Sequence, residues 1–435
     1  MNKCPTPLSM RVFVVIWFGQ LVSLIGSGLT GFALGVWVYQ RTNSVTQFAL
    51  ISLSTALPFI VISPVAGALV DRWNRRWIMI LSDSGAGLSS LTIALLIATG
   101  KLEIWHIYLV TAVGSTFSAF QWPAYTAATT LLVPKQHLGR ASGMTQLGES
   151  IAQLISPVLG GVLLVTIQLQ GIILLDFVTF LFALVTLLSI RFPEIKTIAA
   201  RETGKDSLQN SAAYGWTYIT ARPGLLGLLI FFAASNFLVG VVSVLITPLV
   251  LSFTSAAVLG TILSCGGIGM LVGSLVISTY GVPQRLIYGV LGFELLGGLC
   301  ILVAGLHTSV PLFAVTAFLF FFGLPITNGC SQVIWQKKVA PDVQGRVFAV
   351  RRMITESSLP LAYLIAGPLV DQVFDPLMAP NGPLAGSIGQ LIGVGSGRGI
   401  GLLFIVMGTV TMLATVVAYQ YPRLRLVETE LPDAI

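Results

Sequence analysis

Long runs of apolar residues alternate with short polar connections along almost the whole chain. Residues 48–70 include no charged residue, and Asp83 is the one charge within residues 77–99. Because an α-helix rises 1.5 Å per residue, about 20 apolar residues cross the hydrocarbon core of a bilayer. The pattern therefore predicts twelve membrane-spanning helices. Their approximate bounds are 12–40, 45–70, 77–99, 104–132, 141–167, 171–190, 224–252, 256–280, 285–306, 309–336, 347–373 and 397–421.

The composition is typical of a chain surrounded mainly by lipid. Of the 435 residues, 55% are hydrophobic and 9% are charged, whereas a soluble domain carries about 25% charged residues. The mean hydropathy is +0.90. The 45 glycines are typical of helices that pack closely in a bilayer. We therefore expect an all-α integral membrane protein.

Two long polar or Gly/Pro-rich connections interrupt the pattern. Residues 191–223 separate the first six predicted spans from the last six, and we interpret them as a cytosolic linker between an N-terminal bundle (1–190) and a C-terminal bundle (224–435). Residues 207–220 can form an amphipathic surface helix. The connection at about 374–396 is unusually long for a compact bundle. It is expected either to cap an outer vestibule or to be a surface insertion.

The positive charges predict the orientation of the chain. If both termini lie in the cytoplasm, only Arg41, Lys101 and Arg398 among the 23 Lys and Arg residues fall on the outer side. Basic residues concentrate in cytoplasmic loops, so we expect both the N-terminus and the C-terminus to lie in the cytoplasm (N-in, C-in). Because the net charge of +7 lies in these loops, nucleic acid is not an expected partner. The expected partners are membrane lipid and a small-molecule substrate. The chain is expected to be a monomer.

The sequence carries no pattern of catalysis or of nucleotide or metal binding. A phosphate-binding Gly-x4-Gly-Lys-Ser/Thr sequence is missing. His106, His137 and His307 stand singly, and the four cysteines have no paired spacing. We therefore expect neither an enzyme nor a metal or other cofactor, and a proton gradient is the expected source of energy.

A short charged sequence joins the second and third predicted spans. It follows the spacing Gly-x-x-x-Asp-Arg-x-x-Arg-Arg and resembles the loop signature of major facilitator transporters. That resemblance implies two pseudo-symmetric six-helix bundles, and a charge network that holds one conformation and breaks in the other. Asp83, in the third span, is a further candidate for this network, and a solvated basic loop is the alternative. The matching residues are Gly67, Asp71, Arg72, Arg75 and Arg76.

The two halves share a weak internal repeat, as many transporters do. The second-half counterpart of the charged loop, near residues 269–285, keeps Gly269 and Gly273 but not the Asp-Arg pair. The charge network is therefore expected to depend mainly on the N-terminal half. The corresponding pairs elsewhere are Val133-Pro134 with Ala340-Pro341, and Gly139-Arg140 with Gly345-Arg346.

The fifth predicted span carries small residues and a proline at regular spacing. The pattern resembles the antiporter signature of major facilitator exporters, with Ala152 and Ser156 in place of two glycines. Small residues let a neighbouring helix approach, and Pro157 removes a backbone hydrogen bond. The resemblance implies an exporter with a tight helix contact that limits leak, and ordinary packing in lipid is the alternative. The pattern comprises Gly143, Ala152, Ser156, Pro157, Gly160 and Gly161.

Ionisable residues inside predicted spans are costly, so function is the default hypothesis for each. Glu149 and Glu356 are candidates for proton coupling, because their spans can line a central cavity and a buried carboxylate takes up a proton more readily than an exposed one. Arg352 stands one turn before Glu356, so these two could instead form a structural ion pair. Structural roles are favoured for Asp176 and Glu294.

Amide and aromatic residues occur in the first, fourth, seventh and tenth predicted spans, which carry no arginine at mid-depth. This combination suits a bulky amphipathic organic substrate better than a small anion. Each residue could instead hydrogen-bond to a neighbouring helix. The candidates for a substrate cavity are Gln20, Gln121, Trp122, Tyr125, Asn236, Asn328, Gln332 and Trp335.

Within the superfamily the chain resembles the macrolide-efflux and enterobactin-exporter-type branch. The resemblance rests on Pro58, Pro64, Asp83, the segment from Val133-Pro134 to Gly139-Arg140, Asp176-Phe177 and residues 395–403. It implies a secondary active transporter of a bacterial plasma (inner) membrane, in which proton antiport drives export of a hydrophobic or amphipathic compound such as a drug, a macrolide-like or a siderophore-like metabolite. A proton-coupled importer of a small nutrient is one alternative. A non-transporting membrane sensor or assembly protein of the same fold is another.

Overall fold

In the computed structural model, the apolar runs form long α-helices. A helix satisfies its backbone hydrogen bonds internally, which lipid requires of a spanning segment. The structure describes residues 10–70, 73–134, 137–190, 205–340 and 343–430. The helices are α1 (Met10–Thr42), α2 (Val45–Val70), α3 (Arg75–Ala98), α4 (Ile104–Leu132), α5 (Leu138–Thr166), α6 (Gln168–Ser189), α7 (Lys205–Thr220), α8 (Pro223–Leu251), α9 (Ala256–Tyr280), α10 (Leu286–Leu306), α11 (Val310–Lys338), α12 (Gln344–Leu369), α13 (Asp375–Leu377), α14 (Ile388–Ile392), α15 (Arg398–Gln420), α16 (Pro422–Arg425) and α17 (Val427–Glu430).

The twelve predicted spans correspond to α1–α6, α8–α12 and α15. Eleven helices in the described part of the chain are long and apolar enough to cross a membrane. The remaining one, α4, has 29 residues and is about 43 Å long, which also suffices. Large apolar side chains such as Val61, Val165 and Leu275 are 63%, 72% and 62% exposed, as expected for side chains that face lipid. The all-α membrane fold is confirmed.

The chain divides into two compact units. Unit 1 comprises Met1–Asn43, Leu50–Arg201 and Leu259–Thr261, and unit 2 comprises Ser44–Ala49, Glu202–Val258 and Ile262–Ile435. The predicted linker lies at this division. Its residues 191–204 fall outside the described part of the chain, and the rest forms α7 and the start of α8.

In unit 1, α1 packs along α5 and α6, and α3 packs against α4 and α6. Small residues allow these close contacts, since a Cβ added at Gly19 would lie 3.0 Å from Cγ2 of Thr186. Two clusters of buried apolar side chains form the core. One includes Phe13 and Met79, and the other includes Ile107 and Ile172.

In unit 2, α10 packs against α11 and α15, and α12 packs against α7 and α8. The core cluster is built around the fully buried Trp335. The surface helix expected within the linker is present as α7, and Tyr218 Oη accepts a hydrogen bond from the Ala340 N–H at 3.3 Å. On the same helix, a Cβ added at Gly215 would lie 2.8 Å from the Arg346 carbonyl oxygen. Thus α7 is a packed part of this unit.

The beginning of α2 belongs to unit 2, where Asp371 caps it. The Ser44 hydroxyl and the Thr46 N–H donate to Asp371 Oδ2 at 2.7 and 2.9 Å, and the Val45 N–H donates to Oδ1 at 3.1 Å. The first N–H groups of a helix have no partner within the helix, and a carboxylate satisfies them while it interacts favourably with the helix dipole. Asp371 lies in a π-helical turn, Val370–Phe374, which continues α12.

The connection at 374–396 has its own structure. It includes α13 and α14, and a small apolar cluster forms around Met378 and Ile392, which are 0% and 5% exposed. The Gly395 N–H donates to the Met378 carbonyl at 2.9 Å. Gly393 and Gly395 have φ angles of 89° and 103°, which glycine adopts without strain. The segment is compact, and its role as a cap stays a prediction.

Candidate substrate cavity

A cavity of about 340 Å³ lies in unit 1, lined by residues of α1, α2, α4 and α5. On α1 and α4 the lining residues follow the spacing i, i+3, i+4, i+7, and on α5 they follow i, i+3, i+4. Each helix therefore presents one continuous face to the cavity. The lining residues are Trp17, Gln20, Leu21 and Leu24 on α1, Phe59 on α2, Ser118, Gln121, Trp122 and Tyr125 on α4, and Thr145, Gly148 and Glu149 on α5.

A chain of hydrogen bonds leads from the cavity to a buried carboxylate on α3. Gln121 Nε2 donates to Gln20 Oε1 at 3.0 Å, and Gln20 Nε2 donates to Asp83 Oδ2 at 2.9 Å. Asp83 is 7% exposed, and a carboxylate buried in this way requires a hydrogen-bond donor. Gln20 therefore joins three helices and supplies that donor.

Several other lining donors are also engaged within the protein. Trp17 Nε1 donates to the Met144 carbonyl at 2.7 Å, which holds α1 against α5. The hydroxyl groups of Ser118 and Thr145 each donate, at 3.1 Å, to a carbonyl oxygen one turn earlier in their own helices. These groups shape the wall of the cavity and have a donor already committed.

Two buried polar atoms in the lining have no partner, and a third lining group is ionisable. Gln121 Oε1 and Tyr125 Oη make no hydrogen bond, although Tyr125 is only 8% exposed. The Thr145 hydroxyl, close to Tyr125, donates to Ala141 instead. Glu149 is the one carboxylate of the lining, which includes no Lys, Arg or His. Chemically, the cavity presents aromatic rings, the free amide oxygen of Gln121, the Tyr125 hydroxyl and one carboxyl group.

A family model described as Major Facilitator Superfamily matches residues 16–362. The chain belongs to the major facilitator superfamily. It is accordingly a transporter that spans the membrane many times, and not an enzyme. The candidate cavity of this superfamily member lies within the matched residues.

Macrolide efflux protein A of Streptococcus pyogenes is 26% identical to this superfamily member over 374 residues, covering 83% of this chain and 90% of that protein. Enterobactin exporter EntS of Citrobacter koseri is 30% identical over 154 residues, covering 35% and 37%. The resemblance to this branch is confirmed.

Solved structures support the same fold. A bacterial homologue of the human lysosomal transporter Spinster, in an inward-facing and unoccupied conformation, is 15% identical with a TM-score of 0.69, over 98% of both chains. The nucleoside transporter NupG is 13% identical with a TM-score of 0.69, over 95% of this chain and all of its own. At this identity the likeness concerns the fold alone.

The loop signature of the superfamily is described in part. Asp71 and Arg72 lie outside the described residues, and Gly67 falls in the last turn of α2. Asn74 Oδ1 accepts a hydrogen bond from the Arg76 N–H at 3.0 Å and so caps α3. Arg76 Nη2 donates to the Leu188 carbonyl at 2.9 Å, near the end of α6, where a cation is favoured by the helix dipole. Arg75 begins α3.

The small residues predicted on α5 lie against α1 at two points. Ser156 Oγ donates to the Ile25 carbonyl at 3.3 Å, and a Cβ added at Gly28 would lie 2.8 Å from the Ser156 Cβ. A Cβ added at Gly160 would lie 2.8 Å from a ring carbon of Phe32. Ala152 and Gly161 are buried, whereas Gly143 is exposed and an added Cβ there would meet no atom within 4 Å. Pro157 lies within the helix.

The remaining predicted site residues lie in unit 2. Arg351 Nη1 donates to Gln332 Oε1 at 2.9 Å, and its guanidinium lies 5.2 Å from the ring centroid of the fully buried Trp335. Asn236 Nδ2 donates to the Thr355 carbonyl at 3.3 Å. The predicted residues Gln332, Trp335 and Asn236 therefore each contact a partner within the protein. Asn328 and Arg352 are exposed, and Glu356 is half-buried.

Asp176, for which the sequence favours a structural role, accepts three hydrogen bonds. The hydroxyls of Ser27, Thr30 and Ser90 donate to its carboxylate at 3.3, 3.0 and 2.7 Å. Asp176 therefore joins α6 to α1 and α3 within unit 1, which supports a structural role. Glu294 lies in the middle of α10 and is half-buried.

The structure brings together Gln20, Gln121, Trp122, Tyr125 and Glu149, which the sequence had singled out separately. It adds Trp17, Phe59 and Thr145, among others. Helical spacing from the predicted residues would have identified Trp17 and Thr145, since Trp17 precedes Gln20 by three positions and Thr145 precedes Glu149 by four. Nothing in the sequence pattern distinguishes Phe59 from other apolar residues of α2.

Proposed function

We propose that the protein is a proton-coupled exporter, an antiporter, of a hydrophobic or amphipathic organic compound from a bacterial cytoplasm. The observation that carries this proposal is the cavity of unit 1. Its aromatic and aliphatic side chains suit an apolar body, its amides and phenol suit a few polar groups, and its volume falls within the range of small-molecule sites. The efflux and export functions named for two relatives support the same direction.

We propose that Glu149 and Glu356 couple transport to protons by binding and releasing them during the transport cycle. Glu149 lines the cavity, so its protonation and the presence of a substrate can influence each other directly. Glu356, one turn from Arg352 on α12, is a second candidate. A proton gradient is then the energy source, with no bound cofactor.

The proposed setting is the inner membrane, with both termini in the cytoplasm and the chain acting as a monomer. With this orientation, 20 of the 23 Lys and Arg residues lie on the cytoplasmic side, as basic residues do in membrane proteins. An importer of a small nutrient is less well supported, because the relatives named above are exporters and α5 keeps the small residues of the antiporter pattern.

The experiment measures accumulation of a panel of labelled toxic and siderophore-like compounds in an efflux-deficient bacterial host. Wild-type protein should lower accumulation of at least one compound, and collapse of the proton gradient should restore it. If accumulation of every compound is unchanged while inward flux of a nutrient appears, the export proposal is wrong.

The same assay tests the charged loop. Asp71→Asn should reduce export strongly, whereas Arg285→Gln, the nearest charge in the degraded second-half loop, should reduce it little. Arg285 lies at the N-cap of α10 with its guanidinium 5.6 Å from the Tyr288 ring. Equal effects of the two substitutions at equal expression would contradict a network centred on the N-terminal half.

A further inference from the structure

Many of the hydrogen-bond donors in the wall of the cavity already have partners within the protein. The indole N–H of Trp17, the hydroxyls of Ser118 and Thr145, and one N–H each of Gln20 and Gln121 already donate to protein atoms. Of the two unpartnered atoms, Gln121 Oε1 can only accept a hydrogen bond, whereas the Tyr125 hydroxyl can accept or donate one. A ligand that donates hydrogen bonds would satisfy them, and a ligand that only accepts would leave Gln121 Oε1 unpaired.

The ionisable residues of the lining favour the same kind of ligand, one that donates hydrogen bonds. Glu149 is its one acidic residue, and no basic side chain is present in the lining. A carboxylate at a membrane-spanning position is costly without a counter-charge. An anionic ligand would add a second negative charge, whereas a cation would form a charge-assisted hydrogen bond with Glu149.

The apolar part of the wall also favours a cation. Trp17, Trp122, Tyr125 and Phe59 supply aromatic rings to the same space. The face of an aromatic ring attracts an ammonium group, most strongly for Trp, and the attraction grows when water is excluded. Rings therefore contribute to binding of both the apolar body and the charged group.

We infer that the cavity selects organic cations, compounds in which a protonated amine adjoins an aromatic or aliphatic body. Glu149 provides the counter-charge, and Gln121 Oε1 and Tyr125 Oη accept hydrogen bonds from the amine. This inference rests on the proposed function, which it narrows from amphipathic compounds in general to those with a basic nitrogen. Protons and cargo then share Glu149, so that one displaces the other.

The test uses three fluorescent probes that share a dansyl group and a five-carbon chain. Dansylcadaverine ends in an ammonium group, its N-acetyl derivative is neutral, and the dansyl derivative of 6-aminohexanoic acid ends in a carboxylate. Binding to the purified full-length protein in lipid nanodiscs is measured by energy transfer from tryptophan to dansyl. The cation should bind at least tenfold more tightly than the neutral probe, and the anion more weakly than both.

Substitutions separate charge recognition from general packing. Glu149→Gln should remove the preference for the cation while the affinity for the neutral probe changes less than threefold. Glu294→Gln is the matched control, because it neutralises another glutamate within a spanning helix, outside this cavity, and should keep the preference. Gln121→Leu and Tyr125→Phe should each weaken binding of the cation by a few fold.

Each outcome decides the inference. Equal or tighter binding of the neutral or anionic probe overturns it, as does Glu149→Gln with the preference intact, or failure of all three probes to bind. The affinities of the three probes for the wild-type protein test the inference even if a variant does not fold. Cation binding that depends on Glu149, without export of dansylcadaverine or of any compound in the accumulation assay, would retain the inference and reject the proposed export function.

Discussion

Gln20 connects the cavity to a buried carboxylate through two side-chain hydrogen bonds. Its side chain accepts from Gln121 and donates to the buried Asp83. These partners are 101 and 63 positions away in the sequence, so residue patterns identify the polar groups but not the connection between them. Because a buried carboxylate without a donor is strongly unfavourable, Gln20 is expected to matter for stability as well as for the cavity.

Replacement of Gln20 by leucine should destabilise the protein by about 1–3 kcal/mol, because Asp83 then stays buried without its donor. The measurement is unfolding of the purified protein in detergent. Asp83→Leu provides the second arm of a double-mutant cycle, and the double variant should lose clearly less than the sum of the single losses. Strictly additive losses would show that the Gln20–Asp83 hydrogen bond contributes nothing.

At the scale of helices, close packing depends on particular glycines. Gly28 on α1 lies against Ser156 on α5, where an added Cβ would be 2.8 Å from the Ser156 Cβ. Three residues further along, an added Cβ at Gly31 would meet no atom within 4 Å. The two positions therefore provide a matched pair on one helix.

Gly28→Val should push α1 away from α5 and destabilise the protein by about 1–3 kcal/mol, the usual effect of overpacking. Gly31→Val should leave stability nearly unchanged. Thermal melting of both variants measures this, and proton leak in proteoliposomes tests whether the contact also seals the protein. If the two variants melt alike, contact between α1 and α5 does not depend on Gly28.

The cap on α2 provides a second test at this scale. Asp371→Ala removes the acceptor of the Ser44 hydroxyl and of two backbone N–H groups, and should cost about 1–2 kcal/mol, as loss of a helix cap does. Asp371→Asn keeps one acceptor oxygen and should cost less. Thermal melting compares them, and an alanine variant as stable as wild type would contradict the capping role.

At the scale of the whole molecule, the predicted second-half counterpart of the charged loop keeps only part of the first-half pattern. Gly269 and Gly273 survive in the second-half counterpart of the charged loop, and the structure gives them a packing role. A Cβ added at either would lie about 3 Å from backbone carbon atoms of Phe318 or Phe322, so α9 and α11 require glycine there. Helix packing is therefore sufficient to account for these two glycines.

The predicted orientation applies to the molecule as a whole. Alkaline phosphatase, which is active only outside the cytoplasm, should be active when fused after Lys101, in the connection between α3 and α4. Green fluorescent protein, which fluoresces only inside, should do so when fused to the C-terminus. The reverse pattern would contradict the N-in, C-in orientation.

The helices, their approximate ends and the family membership follow from the sequence by itself. In lipid each spanning segment satisfies its own backbone hydrogen bonds, so a local run of apolar residues is sufficient to define it. Short motifs such as Gly67 to Arg76 are likewise read directly along the chain.

Only the tertiary structure decided which helix faces meet. It placed Glu149 in the same cavity as Gln121, joined Asp83 to Gln20, and set Asp371 against the beginning of α2. The physical reason is that helices apolar on nearly every side carry little sequence information about their rotation. Their faces are chosen by close packing of small residues and by a few hydrogen bonds between residues far apart in the chain.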